Sequence, residues 1–138
     1  MGKDGLVIVY TGKGKGKTTA ALGMALRAAG YNQKICMIQF IKGSWHYGEL
    51  DSSKKLLPEF ELITSGKGFV GIIDDKSPRE DHVKVAKEAL RISKEKIVSQ
   101  IYNLIILDEI NYAVNLGLID KLDVLDLIKS KPENLNLV

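Results

Sequence analysis

The sequence is poor in the residues that hold small secreted and zinc-binding proteins together. It has one cysteine, Cys36, among 138 residues, which excludes a disulfide framework and a cysteine-rich zinc ribbon. Because Cys36 lies within the apolar run Ile35 to Phe40, we expect it to be a small buried side chain. Only three prolines occur, and no repeat, linker or low-complexity segment divides the chain. This length and composition predict one domain spanning residues 1–138.

The chain also lacks a strong excess of charge and a long apolar run. Its net charge of +3 comes from 20 basic and 17 acidic residues, which is too weak for a nucleic-acid-binding protein. No window approaches the ~18 consecutive apolar residues that indicate a membrane span, and the first residues lack the apolar core of a signal peptide. We therefore expect a cytoplasmic protein whose partners are neither nucleic acid nor membrane.

What the sequence does have is a dense glycine–lysine stretch near its start. An apolar run from Leu6 to Tyr10 leads into GKGKGKTT at residues 12–19, and an alanine-rich segment then runs to Gly30. This order predicts a strand, a loop and a helix. A glycine-rich loop at a helix N-terminus directs backbone N–H groups and the positive end of the helix dipole at an anion. The expected ligand is a phosphate chain.

The sequence of this loop differs from the usual Walker A motif. Gly16-Lys17-Thr18 is the end of a Walker A loop, in which the lysine reaches the terminal phosphates and the hydroxyl reaches Mg²⁺. The usual spacing would place the first glycine at residue 11, which is Thr11. Either the loop is one residue tighter than usual or it begins differently. A Rossmann loop is excluded, because its third glycine would fall on Lys17.

Two further apolar runs predict parallel strands of an α/β sheet. The first, residues 34–40, follows Gly30 closely, as in a βαβ unit. The second, residues 104–109, ends in Asp108 and Glu109, which is the sequence pattern of a Walker B strand. Together with Gly16-Lys17-Thr18, these carboxylates predict a Mg²⁺ site beside the phosphate chain. Short helices are expected at residues 110–117 and 121–129.

Two glycine-containing segments between these elements leave alternatives open. Residues 41–49 hold Trp45, the only tryptophan, and form either an aromatic cover over the core or part of a ligand crevice. Residues 65–75 carry Phe69 among apolar neighbours, and they are either packed into the core or a flap with glycine hinges. The flap is the favoured interpretation.

Several motifs together resemble the ATP:corrinoid adenosyltransferases of cobalamin biosynthesis. They are GKGKGKTT at 12–19, AALG at 20–23, QFIKG at 39–43 with Trp45 and Gly48-Glu49 nearby, GKGF at 66–69, and LDE at 107–109 with Tyr112. The resemblance spans nearly the whole chain, and the shortened loop is its most specific part. It implies a RecA-like P-loop fold, a mostly parallel three-layer α/β sheet flanked by helices.

The resemblance also implies the reaction and the residues that carry it. The 5′-deoxyadenosyl group of ATP would pass to the cobalt of a reduced corrinoid, with triphosphate leaving. Lys17, Thr18 and Glu109 would be catalytic, and Thr18, Asp108 and Glu109 would hold Mg²⁺. The expected ligand-binding residues are Gly12, Lys13, Gly14, Lys15, Gly16, Lys17, Thr18, Thr19, Lys42, Trp45 and Phe69.

Some expectations concern the context of the chain. Many family members carry a tryptophan two residues after the flap phenylalanine, where this chain has Gly71, so Ile72 or Ile73 would have to exclude the lower corrinoid ligand. Family sequences continue beyond the position of Val138, so we expect this chain to be C-terminally truncated. The resemblance further implies a homodimer and a flavoprotein reductase as the source of cobalt(I).

Two other functions compete with this interpretation. A P-loop kinase or ATPase would transfer the γ-phosphoryl group of ATP, although one cysteine and three arginines do not suit a zinc-containing or arginine-lidded kinase. A nucleotide-dependent switch would bind ATP without consuming it. The identity of the phosphate product separates these possibilities.

Overall fold

The structure, a computed structural model, describes residues 4–41, 48–64 and 79–138. Their helices and strands alternate along the chain, as an α/β domain requires. In chain order they are α1 (Lys17–Gly30), β1 (Ile35–Gln39), α2 (Gly48–Lys55), β2 (Phe60–Thr64), α3 (Arg79–Val98), β3 (Leu104–Asp108), α4 (Ile110–Asn115), α5 (Lys121–Lys129) and β4 (Asn136–Leu137).

The four strands form one parallel sheet in the order β2-β1-β3-β4. β1 pairs with β2 from Ile35↔Phe60 onward and with β3 from Ile35↔Leu104 onward. Gln39 at the end of β1 is therefore the register neighbour of Asp108 at the end of β3. Because all strands run the same way, their carboxyl ends meet at one edge of the sheet, where ligands bind in open α/β folds.

Helices cover both faces of the sheet and bury alternate residues of each strand. On one face, Met37 of β1 and Ile106 of β3 pack with the small residues Ala21 and Ala25 of α1. On the other face, Cys36 and Ile105 pack with residues of α3 and α5. This is the expected three-layer P-loop-like fold. Cys36 is fully buried, as its sequence context predicts.

The predicted first strand is the main departure from expectation. Residues 6–10 do not form a strand. A single parallel bridge joins Val7 to Leu137. Two hydrogen bonds make this bridge, from Ile8 N to Leu137 O at 2.8 Å and from Leu137 N to Leu6 O at 2.9 Å. Within the described ranges, the strand beside this segment is the two-residue β4, which is too short to support a ladder, and Leu6 and Val9 are exposed.

Several predicted features lie outside the described residues. These are Lys42, Trp45 and the residues of the expected flap: Phe69, Gly71, Ile72 and Ile73. Among the helices of the described ranges, none combines the length and the apolar character that crossing a membrane demands.

Candidate active site

The glycine-rich loop is shaped by two glycines with left-handed backbones. Gly12 has φ +126° and Gly16 has φ +104°, conformations that side-chain-bearing residues rarely adopt. Gly16 is the N-cap residue of α1, and its carbonyl accepts the first helical hydrogen bond, from Ala20 N at 2.8 Å. The loop thus turns directly into the helix and leaves the first N–H groups of α1 at the loop's mouth, ready for an anion.

Lys17 places its ammonium group over this loop. Its Nζ donates to the carbonyl oxygens of Gly12 at 2.8 Å and Gly14 at 2.6 Å. One positive charge is thereby held at the loop's centre, although Lys17 is the first residue of the helix. A triphosphate seated on the loop would exchange these carbonyls for phosphate oxygens, which are stronger acceptors for an ammonium group.

Thr18 joins the loop to the Walker B strand. Its hydroxyl donates to Asp108 Oδ1 at 2.8 Å, across 90 residues of sequence. Asp108 is 7% exposed and ends β3, so its carboxylate is presented at the carboxyl edge of the sheet. The contact brings together the hydroxyl and the carboxylate that hold Mg²⁺ in P-loop proteins.

A buried amide lies behind this pair. Gln39 Nε2 donates to Glu49 Oε1 at 3.2 Å and to Asp108 Oδ2 at 3.4 Å. The sequence analysis assigned no role to Gln39 or Glu49. The residue type of Gln39 could have drawn attention to it. Apart from the cysteine, Gln39 is the only polar residue among the five buried positions of β1, whose sequence is ICMIQ.

Glu109 follows Asp108 in a strained conformation. Its φ of 64° and ψ of 18° are left-handed, and it is the N-cap residue of α4 without a side-chain capping bond. A left-handed backbone costs a non-glycine residue roughly 1–2 kcal/mol, and such strain concentrates at functional sites. The turn directs the chain from β3 into α4 within one residue, and Glu109 lines the cleft at this point.

These groups line one open cleft of about 510 Å³. One wall is the segment from Val7 to Gly12, and the opposite wall is the end of β3 with α4. Lys17, Thr18, Asp108 and Glu109 provide its polar side, whereas its apolar side comes from Val7, Val9, Ile106, Ile110, Val124 and Ile128. The volume falls in the range typical of small-molecule sites, which reaches about 1,000 Å³.

The donor atoms suit magnesium. Thr18, Asp108 and Glu109 offer only oxygen, the ligand that Mg²⁺ prefers, and Mg²⁺ typically takes one or two carboxylates and completes its shell with phosphate oxygens and water. No group of three His, Cys, Asp or Glu side chains that could hold a metal occurs in the described ranges. These three oxygen donors would therefore need phosphate oxygens and water to complete the shell of a Mg²⁺ ion.

The structure therefore brings together the central part of the predicted site. Gly12, Gly14, Gly16, Lys17, Thr18, Asp108 and Glu109 border one cleft or the loop beside it. Lys13, Lys15 and Thr19 are exposed on the same loop and helix start. The predicted ligand-binding residues Lys42, Trp45 and Phe69 lie outside the described residues, so their role stays a prediction.

Comparison with known proteins identifies a family. The family model for ATP:corrinoid adenosyltransferase BtuR/CobO/CobP matches residues 3–138. A corrinoid adenosyltransferase of Escherichia coli K12 is 31% identical over 134 residues, 97% of this chain and 66% of the relative. One from a Sinorhizobium species is 35% identical over 99% of this chain and 63% of its own length. Another, from Salmonella typhimurium, is 30% identical over 93% and 63%.

The chain spans about two thirds of the length of these curated relatives. The matched residues 3–138 contain the shortened loop, the Gln39 strand and the Asp108-Glu109 strand end. On the strength of the family match and of the site's geometry, this chain belongs to the ATP:corrinoid adenosyltransferase family.

Proposed function

We propose that the protein transfers the 5′-deoxyadenosyl group of ATP to the cobalt of a reduced corrinoid and releases triphosphate, as a step of adenosylcobalamin biosynthesis. The observation that carries the proposal is the Thr18–Asp108 contact at the mouth of the shortened loop, in a chain of this family. In the reaction a Co–C5′ bond forms with the electron pair of cobalt(I). The bond from C5′ to the phosphate oxygen breaks, and that oxygen keeps its electrons on the triphosphate.

The chain's own residues suit this chemistry because the substrate supplies the nucleophile. The protein has to hold C5′ in line with cobalt and stabilise charge growing on the leaving triphosphate. Lys17 and the N–H groups at the start of α1 face that charge, and the glycines let the backbone approach it. Positioning of this kind lowers a barrier by roughly 7–11 kcal/mol in favourable intramolecular reactions.

We also propose that a Mg²⁺ ion binds at this site together with ATP. Thr18 and Asp108 would hold it, and Glu109 is proposed as a further ligand. When bound, Mg²⁺ supplies positive charge to the triphosphate oxygens. The support is the all-oxygen donor set around the Thr18 hydroxyl.

The remaining features are proposed from the resemblance alone. They are binding of the corrinoid by Lys42, Trp45 and Phe69, a homodimer, and a flavoprotein reductase that supplies cobalt(I); a cytoplasmic location is proposed from the sequence composition instead. That the natural protein is longer than this chain is proposed as well. Its support is the two-thirds coverage of the relatives, and the intact mass of the natural protein tests it.

The test is formation of the cobalt–carbon bond. With ATP, Mg²⁺ and chemically reduced cob(I)alamin, we expect the absorbance of an alkylated corrinoid to appear. Lys17→Ala removes a charge-assisted contact worth about 1.5–3 kcal/mol, so ATP affinity or turnover should fall tenfold or more. Lys87→Ala, on the exposed side of α3 across the sheet, is the matched control and should behave as wild type.

Two results would contradict the proposal. An active natural protein that leaves cob(I)alamin unalkylated would rule out adenosyl transfer. If Lys17→Ala binds and converts ATP as the wild type does, the glycine-rich loop is not the triphosphate-binding site.

A further inference from the structure

Gln39 is a buried polar residue that packing does not explain. It is 0% exposed and ends a strand whose other side chains fill the core. A buried amide costs free energy unless it is hydrogen-bonded, and an apolar side chain of the same size would fill this position without that cost. The reason for an amide has to come from its partners.

Two of those partners are carboxylates on different elements. Gln39 Nε2 lies 3.2 Å from Glu49 Oε1, in the first turn of α2, and 3.4 Å from Asp108 Oδ2, at the end of β3. Ionised carboxylates only accept hydrogen bonds, so the amide nitrogen and not the oxygen has to face them. A single NH₂ group thus lies between two negative groups that would otherwise repel each other.

The Gln39 amide also affects the hydrogen bond between Asp108 and Thr18. The two oxygens of Asp108 have separate partners, because Oδ1 accepts from the Thr18 hydroxyl at 2.8 Å and Oδ2 faces Gln39. The paired register of Gln39 and Asp108 on neighbouring strands fixes the distance between their backbones. With one oxygen held from behind, the carboxylate plane cannot rotate freely, so the orientation of the other oxygen is set in advance.

We propose that Gln39 is a positioning residue for the metal–phosphate site, holding Asp108 in orientation from behind, and that Glu49 in turn orients Gln39. The role rests on the proposed function, since it assumes that Asp108 and Thr18 hold magnesium with ATP. It adds α2 to the elements that determine the affinity of that site for the metal.

The test measures ATP binding by titration calorimetry at a series of MgCl₂ concentrations, with no corrinoid present. Gln39→Met preserves the volume of the side chain and removes the amide. We expect its Mg²⁺ midpoint for ATP binding to rise at least fivefold, while affinity at saturating Mg²⁺ stays within about threefold of wild type. Glu49→Ala should raise the midpoint at least twofold, and Glu49→Gln, which retains an acceptor oxygen, should restore most of the wild-type value.

Two controls separate positioning from general stability. Ser93→Ala removes another fully buried polar group, whose hydroxyl donates to Ala89 O at 2.7 Å on α3, and it should leave the Mg²⁺ midpoint unchanged. Glu49 is only partly buried, so Glu49→Ala keeps the test valid if Gln39→Met fails to fold.

The outcomes are distinct. If wild type shows no Mg²⁺-dependent ATP binding, the proposed function fails and the role of Gln39 fails with it. If wild type binds and a folded Gln39→Met or Glu49→Ala protein has an unchanged midpoint, the positioning role alone is overturned. A midpoint raised equally by Ser93→Ala would also overturn it, because the effect would then be one of core stability.

Discussion

At the scale of single residues, Glu109 combines backbone strain with a place at the site. Three non-glycine residues in the described ranges have a positive φ: Asn32, Gln100 and Glu109. Asn32 and Gln100 lie in turns that lead from a helix into a strand, where such conformations are common. Glu109 instead lies where β3 leads into α4 at the carboxyl edge of the sheet, so its strain coincides with the candidate active site.

This strain predicts a separation of stability from activity. Glu109→Ala and Glu109→Gly both remove the carboxylate, so both should lose most adenosyl transfer. Glycine adopts the left-handed conformation readily, and we expect Glu109→Gly to be more stable than Glu109→Ala by about 1 kcal/mol. Urea unfolding of the two variants measures the difference. An alanine variant at least as stable as the glycine variant would show that the backbone there is not strained.

Cys36 gives a second prediction at this scale. Burial, helped by the charge of Glu61, raises the pKa of the Cys36 thiol to about 12. Thiolate is the reactive form, so at pH 8 the native protein should react with iodoacetamide far more slowly than the urea-unfolded protein. Mass spectrometry of the alkylated peptide provides the measurement. Modification at equal rates in both states would mean that β1 does not bury this thiol.

At the scale of elements, helices and strands with a complete apolar pattern were predicted closely. α5 at Lys121–Lys129 agrees with the predicted helix residue for residue, and β1 and β3 lie within the apolar runs predicted at 34–40 and 104–109. Residues 6–10 were predicted as a strand from the same kind of pattern, and that prediction was wrong. A strand needs neighbours as well as an apolar run, and the sequence does not tell which segment, or how much of it, will lie alongside.

Lys131 adds a contact beside the hydrogen bonds that join residues 6–8 to Asn136 and Leu137. Its ammonium nitrogen lies within hydrogen-bonding distance of four backbone carbonyl oxygens, which share its three N–H donors: Gly5 at 3.2 Å, Pro132 at 2.9 Å, Glu133 at 3.3 Å and Leu135 at 2.8 Å. These carbonyls belong to the two segments that flank the single bridge. The lysine therefore fastens the start of the chain, and with it the approach to the glycine-rich loop, to the segment that leads into β4.

Lys131→Met should loosen this attachment. Hydrogen bonds from a charged group contribute about 1.5–3 kcal/mol, and we expect a loss of stability in that range together with faster amide exchange at Ile8, whose N–H bonds Leu137 O. Lys84→Met, at an exposed position of α3, is the control and should change stability by less than about 0.5 kcal/mol. Protection of Ile8 that is equal in both variants would contradict the role given to Lys131.

At the scale of the whole molecule, the sequence predicted the α/β sheet, its parallel strands and the meeting of Thr18 with the Asp108 strand end. That part was predictable because parallel strands bring loops distant in sequence to one edge. The Gln39–Glu49 arrangement was not, since it depends on the register of β1 against β3 and on where α2 begins. Such placements are settled by packing, which motif spacing does not encode.

The central claim is that ATP is cleaved at the ribose carbon and not between phosphates. The phosphorus NMR spectrum of the products, recorded with the natural protein, ATP, Mg²⁺ and cob(I)alamin, tests it most directly. We expect intact triphosphate in equal amount to the alkylated corrinoid and no ADP. ADP with inorganic phosphate, or ADP with a phosphorylated acceptor, alongside an unalkylated corrinoid would contradict it and would establish a kinase or ATPase in its place.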